Sequence, residues 1–274
     1  MNLARQVARG DPNARILVIE ADLRSALGNS MPKNPTRADI VSVCLFRDAS
    51  SSAVVGGASS LNPQEEPCYE IVTGSSRIVN DTRHLVNYVE QDDGSIHLHL
   101  DKKLPDHVGL AEPEFVGDLL KKSKTMLSKS GSKHQIPSIQ NFDVLCHTGG
   151  PRVLSEVGKA LGVPKKNMCS SWEVMTSHGN LSGASNLAVL DHHNQMVKNK
   201  TGETSEWAVC LSMGPGVCLE GIIIRDVRKT QIMALSKVIE DPRKSEPTNL
   251  LFDIGFGVLQ CTVSYISYFL SRYF

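Results

Sequence analysis

The sequence predicts an α/β fold of layered helices and strands, and three stretches predict it. Residues 14–22 form an apolar run, Ala14-Arg15-Ile16-Leu17-Val18-Ile19-Glu20-Ala21-Asp22, suited to a strand buried on both faces. Residues 142–146 form a short strand that leads into Pro151 at a helix's first turn. Val153, Leu154, Val157 and Leu161 then recur on one face of that helix. Residues 207–213 and 217–224 are two apolar strands joined through Gly214-Pro215-Gly216.

The remaining elements follow in chain order. Residues 2–10 read as a helix ending at Gly10. Pro32 and Pro35 mark 31–36 as a loop, 39–47 suits a helix, and 51–57 suits a strand. Residues 59–67, rich in Pro, Ser and Glu, read as the linker between two halves. A strand starts at Cys68, and Ile96-His97-Leu98-His99-Leu100 alternates as another. Residues 112–128 read as a helix with a solvated Lys121-Lys122-Ser123-Lys124 segment, and 129–140 as a polar loop. A further helix is expected over 182–197, its early turns small enough for close packing.

Composition narrows the function classes without naming one. Of 274 residues, 41% are hydrophobic, enough for a sizeable core. Lys+Arg and Asp+Glu are equal at 29 each, so no net field argues for nucleic acid or an anionic membrane. The 7 cysteines are odd in number and lack C-x-x-C spacing, which speaks against a zinc site or a disulfide framework and for a reducing, cytoplasmic setting. His97 and His99 share a strand face and His192-His193 a helix, but neither pair has the further ligands a metal needs, so no metal is expected.

Two motifs carry chemistry. His147-Thr148-Gly149-Gly150-Pro151 and Gly179-Asn180-Leu181-Ser182-Gly183-Ala184-Ser185 each set a polar side chain in a turn of small residues. An imidazole N–H and a carboxamide N–H converging on one carbonyl oxygen stabilise the negative charge that develops there. Cys146 is adjacent to His147, but neighbouring side chains on a strand point to opposite faces, so the two do not form a Cys–His dyad.

With Trp207-Ala208-Val209-Cys210-Leu211-Ser212-Met213-Gly214-Pro215-Gly216-Val217-Cys218-Leu219-Glu220, these motifs stand in an order and spacing that resembles the C-terminal half of type III polyketide synthases, the chalcone and stilbene synthase family. The resemblance runs over residues 3–227 and is sharpest after 140. It implies a thiolase-like layered fold: a remainder of the N-terminal half in 1–58, a C-terminal half in 68–227, and an atypical tail in 228–274. It implies decarboxylative condensation of malonyl-CoA onto an acyl-CoA starter in a homodimer, with CoA thioesters as substrates and no cofactor. By the same resemblance His147 and Asn180 are the catalytic oxyanion donors, and Phe46 and Leu98 occupy gating positions. Gly149, Gly150, Pro151, Arg152, Ser182, Gly214, Pro215 and Gly216 then shape the substrate tunnel and cavity, with Arg152 near the pantetheine arm. Asp22 matches an acidic cavity residue loosely.

Departures from the pattern matter as much. The family's nucleophilic cysteine precedes the helix that is seen here at residues 2–10, so the chain is expected to lack condensing activity alone. Phe46-Arg47-Asp48-Ala49 stands where the family has Phe-Gly-Asp-Gly, which puts a tight turn in question. Three other readings stay open: a ketoacyl-synthase-type enzyme, a non-catalytic partner of an intact synthase, and a truncated piece without independent function. In the tail, 230–248 suits a helix. Residues 250–270 are apolar enough to span a bilayer, although Asp253, two glycines and Arg272 argue against membrane contact.

Overall fold

Six α-helices and nine strands are formed among the described residues. The helices are α1 (Asn2–Gly10), α2 (Arg37–Leu45), α3 (Leu104–Lys129), α4 (Pro151–Leu161), α5 (Cys169–His178) and α6 (Ser185–Asn199). The strands are β1 (Arg15–Asp22), β2 (Ala49–Gly57), β3 (Tyr69–Ile78), β4 (Val86–Glu90), β5 (Ile96–Leu100), β6 (Asp143–Cys146), β7 (Trp207–Gly214), β8 (Cys218–Asp226) and β9 (Gly257–Cys261). This computed structural model describes residues 1–27, 35, 37–57, 65–90, 92, 96–229 and 257–261.

Seven strands form one sheet in the order β1-β2-β9-β3-β8-β7-β6, and β4 and β5 form a separate ribbon. Its apolar runs are sorted by the two-residue period of a strand. Val144, Cys146, Val209, Leu211 and Ile223 join the cluster under α3 and α4. Leu145, Ala208, Cys210, Ile222 and Ile224 join the one under α1 and α6. Helices therefore cover the sheet on both sides, which explains why β6, β7 and β8 are nearly continuous in hydrophobicity. Helix and sheet approach closely at Gly221 on β8, where an added Cβ would come within 2.8 Å of Phe115 and 3.0 Å of Leu119 on α3.

Several elements differ from what the sequence alone predicts, each for a packing reason. Residues 14–22 do form β1, but as the sheet's edge rather than a strand buried on both faces. Leu17 and Ile19 point outward, 59% and 64% exposed. Helix α3 begins at Leu104, well before 112. Pro105 fits its first turn, and burial of Val108 and Phe115 carries the helix through Pro113. A 3-10 turn, Ser182–Ala184, precedes α6. Helix α5 has no simple amphipathic spacing because it serves both clusters, with Trp172 and Met175 on one and Val174 on the other.

Residues 46–49 need no glycine: none of them has positive φ, and Ala49 already opens β2. In the tail, β9 inserts between β2 and β3, while 230–256 and 262–274, with the predicted helix and most of the apolar stretch, lie outside the described residues. Among the described residues no helix is long and apolar enough to cross a membrane.

One buried group opposes the fold. Glu112 on α3 is 1% exposed, and neither carboxylate oxygen has a hydrogen-bond partner among the described residues. Burial raises its pKa from 4.5 to about 8. The folded state then keeps a proton that the unfolded chain releases, so stability falls as pH rises from about 4.5 to about 8. Glu112→Leu is expected to remove this slope, gaining on the order of a few kcal/mol over wild type by pH 8. Thermal unfolding midpoints of both proteins from pH 5 to 8.5 check it, and a constant difference across that range would contradict it.

Candidate active site

The site is assembled where three turns meet. Strand β6 pairs in parallel with β7, and the His147 N–H extends that ladder to the Leu211 carbonyl at 2.8 Å. This fixes the point at which the chain leaves the sheet and turns through Gly149 and Gly150 into α4. The second turn, 179–184, is tied to the first by Thr148. Its Oγ1 donates to the Gly179 carbonyl at 2.8 Å and shares a hydrogen bond with Ser185 Oγ at 3.0 Å. Ser185 Oγ in turn accepts the Leu181 N–H at 3.1 Å.

The third turn comes from the first part of the chain. Asn180 N–H donates to the Leu45 carbonyl and Arg47 N–H to the Asn180 carbonyl, both at 2.9 Å, as an isolated bridge between Phe46 and Asn180. The fit requires glycine at 179: φ is +78°, and a Cβ there would lie 2.6 Å from the Leu45 carbonyl oxygen. Asp22, at the end of β1, accepts the Gly183 N–H at 2.6 Å.

Between these turns, α2 and the β4–β5 ribbon lies a cavity of about 1060 Å³. His147, Asn180, Phe46, Leu98, Gly149, Gly150, Pro151, Arg152, Ser182, Gly214 and Pro215 all line it, as does Asp22. Gly216 does not. It sits at φ +105° in the β7–β8 turn, where its carbonyl accepts the Thr82 hydroxyl at 3.0 Å, so its role is to shape the hairpin. Arg152 is already engaged, with Asp106 at 2.7 Å and the Lys102 carbonyl at 3.0 Å. The sequence reading missed other parts of the wall, among them Arg37, Tyr88, Lys102 and Met213. Thr148 and Ser185 were within the quoted motifs, but nothing in their spacing identifies them as the ties between the turns.

The two side chains are chemically distinct. Asn180 Oδ1 accepts the Ser182 N–H at 2.8 Å. That bond assigns the carboxamide's oxygen, so its NH₂ is the end left to meet a ligand. Ser182 itself takes φ +54°, a left-handed conformation uncommon for a residue with a side chain, to turn its N–H back. Burial lowers the His147 pKa to about 4, with Asp22 acting in the opposite sense. A neutral imidazole carries one N–H to donate.

Cys146 is fully buried on the α3/α4 side, its thiol pushed well up by burial and by Glu112. No cysteine among the described residues lines the cavity. No group of His, Cys, Asp or Glu among them is arranged to hold a metal ion.

For His147 the linkage has a definite sign. The folded state binds fewer protons than the unfolded chain between about pH 6.5 and 4, so stability is lost as pH falls through that window. The His147 ring resonances are expected to report a neutral imidazole at pH 5.5 in an NMR titration, and a midpoint near 6.5 would contradict the burial argument.

Comparison with known proteins identifies the family. Residues 70–228 match the family described as chalcone and stilbene synthases, C-terminal domain. The chain is 27% identical over 231 residues to type III polyketide synthase B of Arabidopsis thaliana, 83% of this chain and 56% of that one. It superposes with TM-score 0.71 and 26% identity on the C-terminal type III polyketide synthase domain of Steely1, a type I/III hybrid from Dictyostelium, covering 82% of this chain and 58% of that one. PKS-I from the brown alga Ectocarpus siliculosus, at TM-score 0.67 and 23% identity, shares the fold, over 82% of this chain and 56% of its own. The chain thus spans little more than half the length of these three proteins.

Proposed function

This chain belongs to the chalcone and stilbene synthase family, and on that premise we propose that it binds coenzyme A thioesters of acyl and malonyl groups and stabilises the oxyanion of the thioester carbonyl. The observation that carries the reading is the pair of donors. His147 and Asn180 line one cavity, the imidazole neutral and the carboxamide oriented by Ser182 N–H. Donors held in place before reaction cost no reorganisation when charge develops.

The chemistry follows from what these residues supply. With a malonyl thioester in the cavity, the bond to its carboxylate breaks and carbon dioxide leaves. The electron pair passes to the thioester oxygen as an enolate, held by the two N–H groups, and water returns a proton to give the acetyl thioester. Condensation onto an acyl starter through a covalent intermediate needs a thiol, and no described cysteine reaches the cavity. The reading for these residues alone is therefore decarboxylation without covalent acylation. The full polyketide synthase reaction stands as the proposal for a cavity supplied with that thiol.

The test uses malonyl-CoA labelled in its free carboxylate. The chain is expected to release labelled carbon dioxide slowly above the buffer rate, and His147→Ala and Asn180→Ala each to lower release about 10²-fold. Release by either variant at the wild-type rate, or an acyl group retained covalently on the protein in mass spectra, would sink this assignment.

A second reading, pairing with another copy or with a longer synthase chain, is favoured by β1. Among the described residues β1 is the edge strand of the sheet, and it presents Leu17 and Ile19 outward. Such edges invite strand pairing unless charges or cover block them. Leu17→Lys with Ile19→Lys is expected to shift the protein from dimer to monomer in light scattering, and a monomeric wild type would reject self-pairing.

A further inference from the structure

Two cavity residues outside the oxyanion pair are locked to each other and to the strands that carry the site. Asn186, in the first turn of α6, donates its carboxamide NH₂ to the Leu211 carbonyl at 2.9 Å and to that of Leu145 at 3.4 Å. With the nitrogen so committed, Oδ1 is the end that meets Ser212, and it accepts the Ser212 hydroxyl at 2.6 Å. Both side chains line the cavity. The Ser212 proton is therefore held within the wall. Its oxygen keeps lone pairs that no donor among the described residues reaches.

Ser212 is also the cross-strand neighbour of His147. Strands β6 and β7 run parallel with Cys146 opposite Leu211, and the His147 N–H bonds the Leu211 carbonyl, so one step further His147 stands opposite Ser212. Cys146 and Leu211 face the cluster under α3 and α4. The two-residue period turns His147 and Ser212 to the other face, and neighbouring strands lie about 4.8 Å apart. A thioester carbonyl held by His147 thus brings atoms two or three bonds along its acyl group within reach of the Ser212 oxygen. Met213 and Val217, lining the same cavity, have no side-chain donor to offer it. An acceptor set among apolar side chains favours a ligand that brings a donor.

We propose that Ser212 is an acceptor subsite for a hydroxyl on the acyl group, with Asn186 as its positioning residue, so that the cavity favours 3-hydroxyacyl thioesters over their deoxy counterparts. The proposal rests on the thioester-binding reading above. Asn186 takes the serine proton and so turns the oxygen's lone pairs to the ligand. The ligand hydroxyl donates, and the serine accepts.

The experiment measures calorimetric binding of butyryl-CoA and of both enantiomers of 3-hydroxybutyryl-CoA to the whole chain and to Ser212→Ala, Ser212→Cys, Ser212→Thr and Asn186→Ala. These ligands share the coenzyme A moiety, so only the hydroxyl distinguishes them. Wild type is expected to bind one 3-hydroxybutyryl enantiomer about fivefold more tightly than butyryl-CoA, the worth of one neutral hydrogen bond. Ser212→Ala is expected to abolish that ratio. Ser212→Cys, which keeps the volume but accepts weakly, should lose most of it, and guards against a failure of the alanine variant to fold. Ser212→Thr is expected to retain it. Equal affinities in wild type, or a ratio that survives in the alanine or cysteine variant, overturns the subsite while leaving the thioester reading in place. An unchanged ratio in Asn186→Ala rejects Asn186 as the positioning residue. Binding of neither thioester by wild type overturns the thioester reading, and the subsite with it.

Discussion

The backbone bridge between Phe46 and Asn180 is the constraint on which the site depends. It joins a turn from the first part of the chain to one lying more than a hundred residues later, with two hydrogen bonds and no side chain. Because Gly179 is packed against the Leu45 carbonyl, the two segments approach as closely as backbone allows. Thr148 then fastens the His147 turn to the same place. His147 and Asn180 are thus positioned by main-chain bonds together with the Thr148 hydroxyl, and buried backbone groups need such partners.

The strand that delivers His147 is also secured at its far end. Asp143, the first residue of β6, accepts His193 Nε2 at 3.0 Å and the Ser205 N–H at 2.6 Å, while Tyr69 hydrogen-bonds His193 Nδ1 at 2.8 Å. Since Nε2 donates to the carboxylate, Nδ1 accepts from the phenol, and every ring nitrogen is satisfied. The network ties β3, β6 and α6 together. Glu70 and Arg225, facing each other across β3 and β8, form a second buried pair. These polar groups are satisfied and make the core specific in its register. Glu112 has no such partners and weighs against the fold.

Chemistry at the site follows from dielectric surroundings as much as from residue identity. The same burial that keeps His147 neutral, and so a single N–H donor, pushes the neighbouring Cys146 thiol away from its reactive form. Adjacent residues thereby receive opposite roles, one facing the cavity and the other a dry helix interface. Beside the cavity lies a feature of another kind, the buried Arg24 guanidinium over the Phe46 and Tyr88 rings.

The layered α/β class was legible in the sequence because runs such as Val144-Leu145-Cys146 and Ile222-Ile223-Ile224 suit strands covered on both sides. The His147 and Asn180 turns were legible too, since their glycines mark places where backbone must bend or approach closely. The exposed edge of β1, the dual packing of α5 and the early start of α3 were not. Each depends on which neighbour covers a surface, and local pattern does not specify neighbours. The same limit hid Thr148, Ser185, Tyr88 and the packing of Arg24 on two rings, whose partners lie far away in the chain. Residue types and turns determined what chemistry was on offer. Only tertiary structure decided which groups share a cavity, because burial, charge and hydrogen-bond partnership arise from contacts between segments distant in sequence.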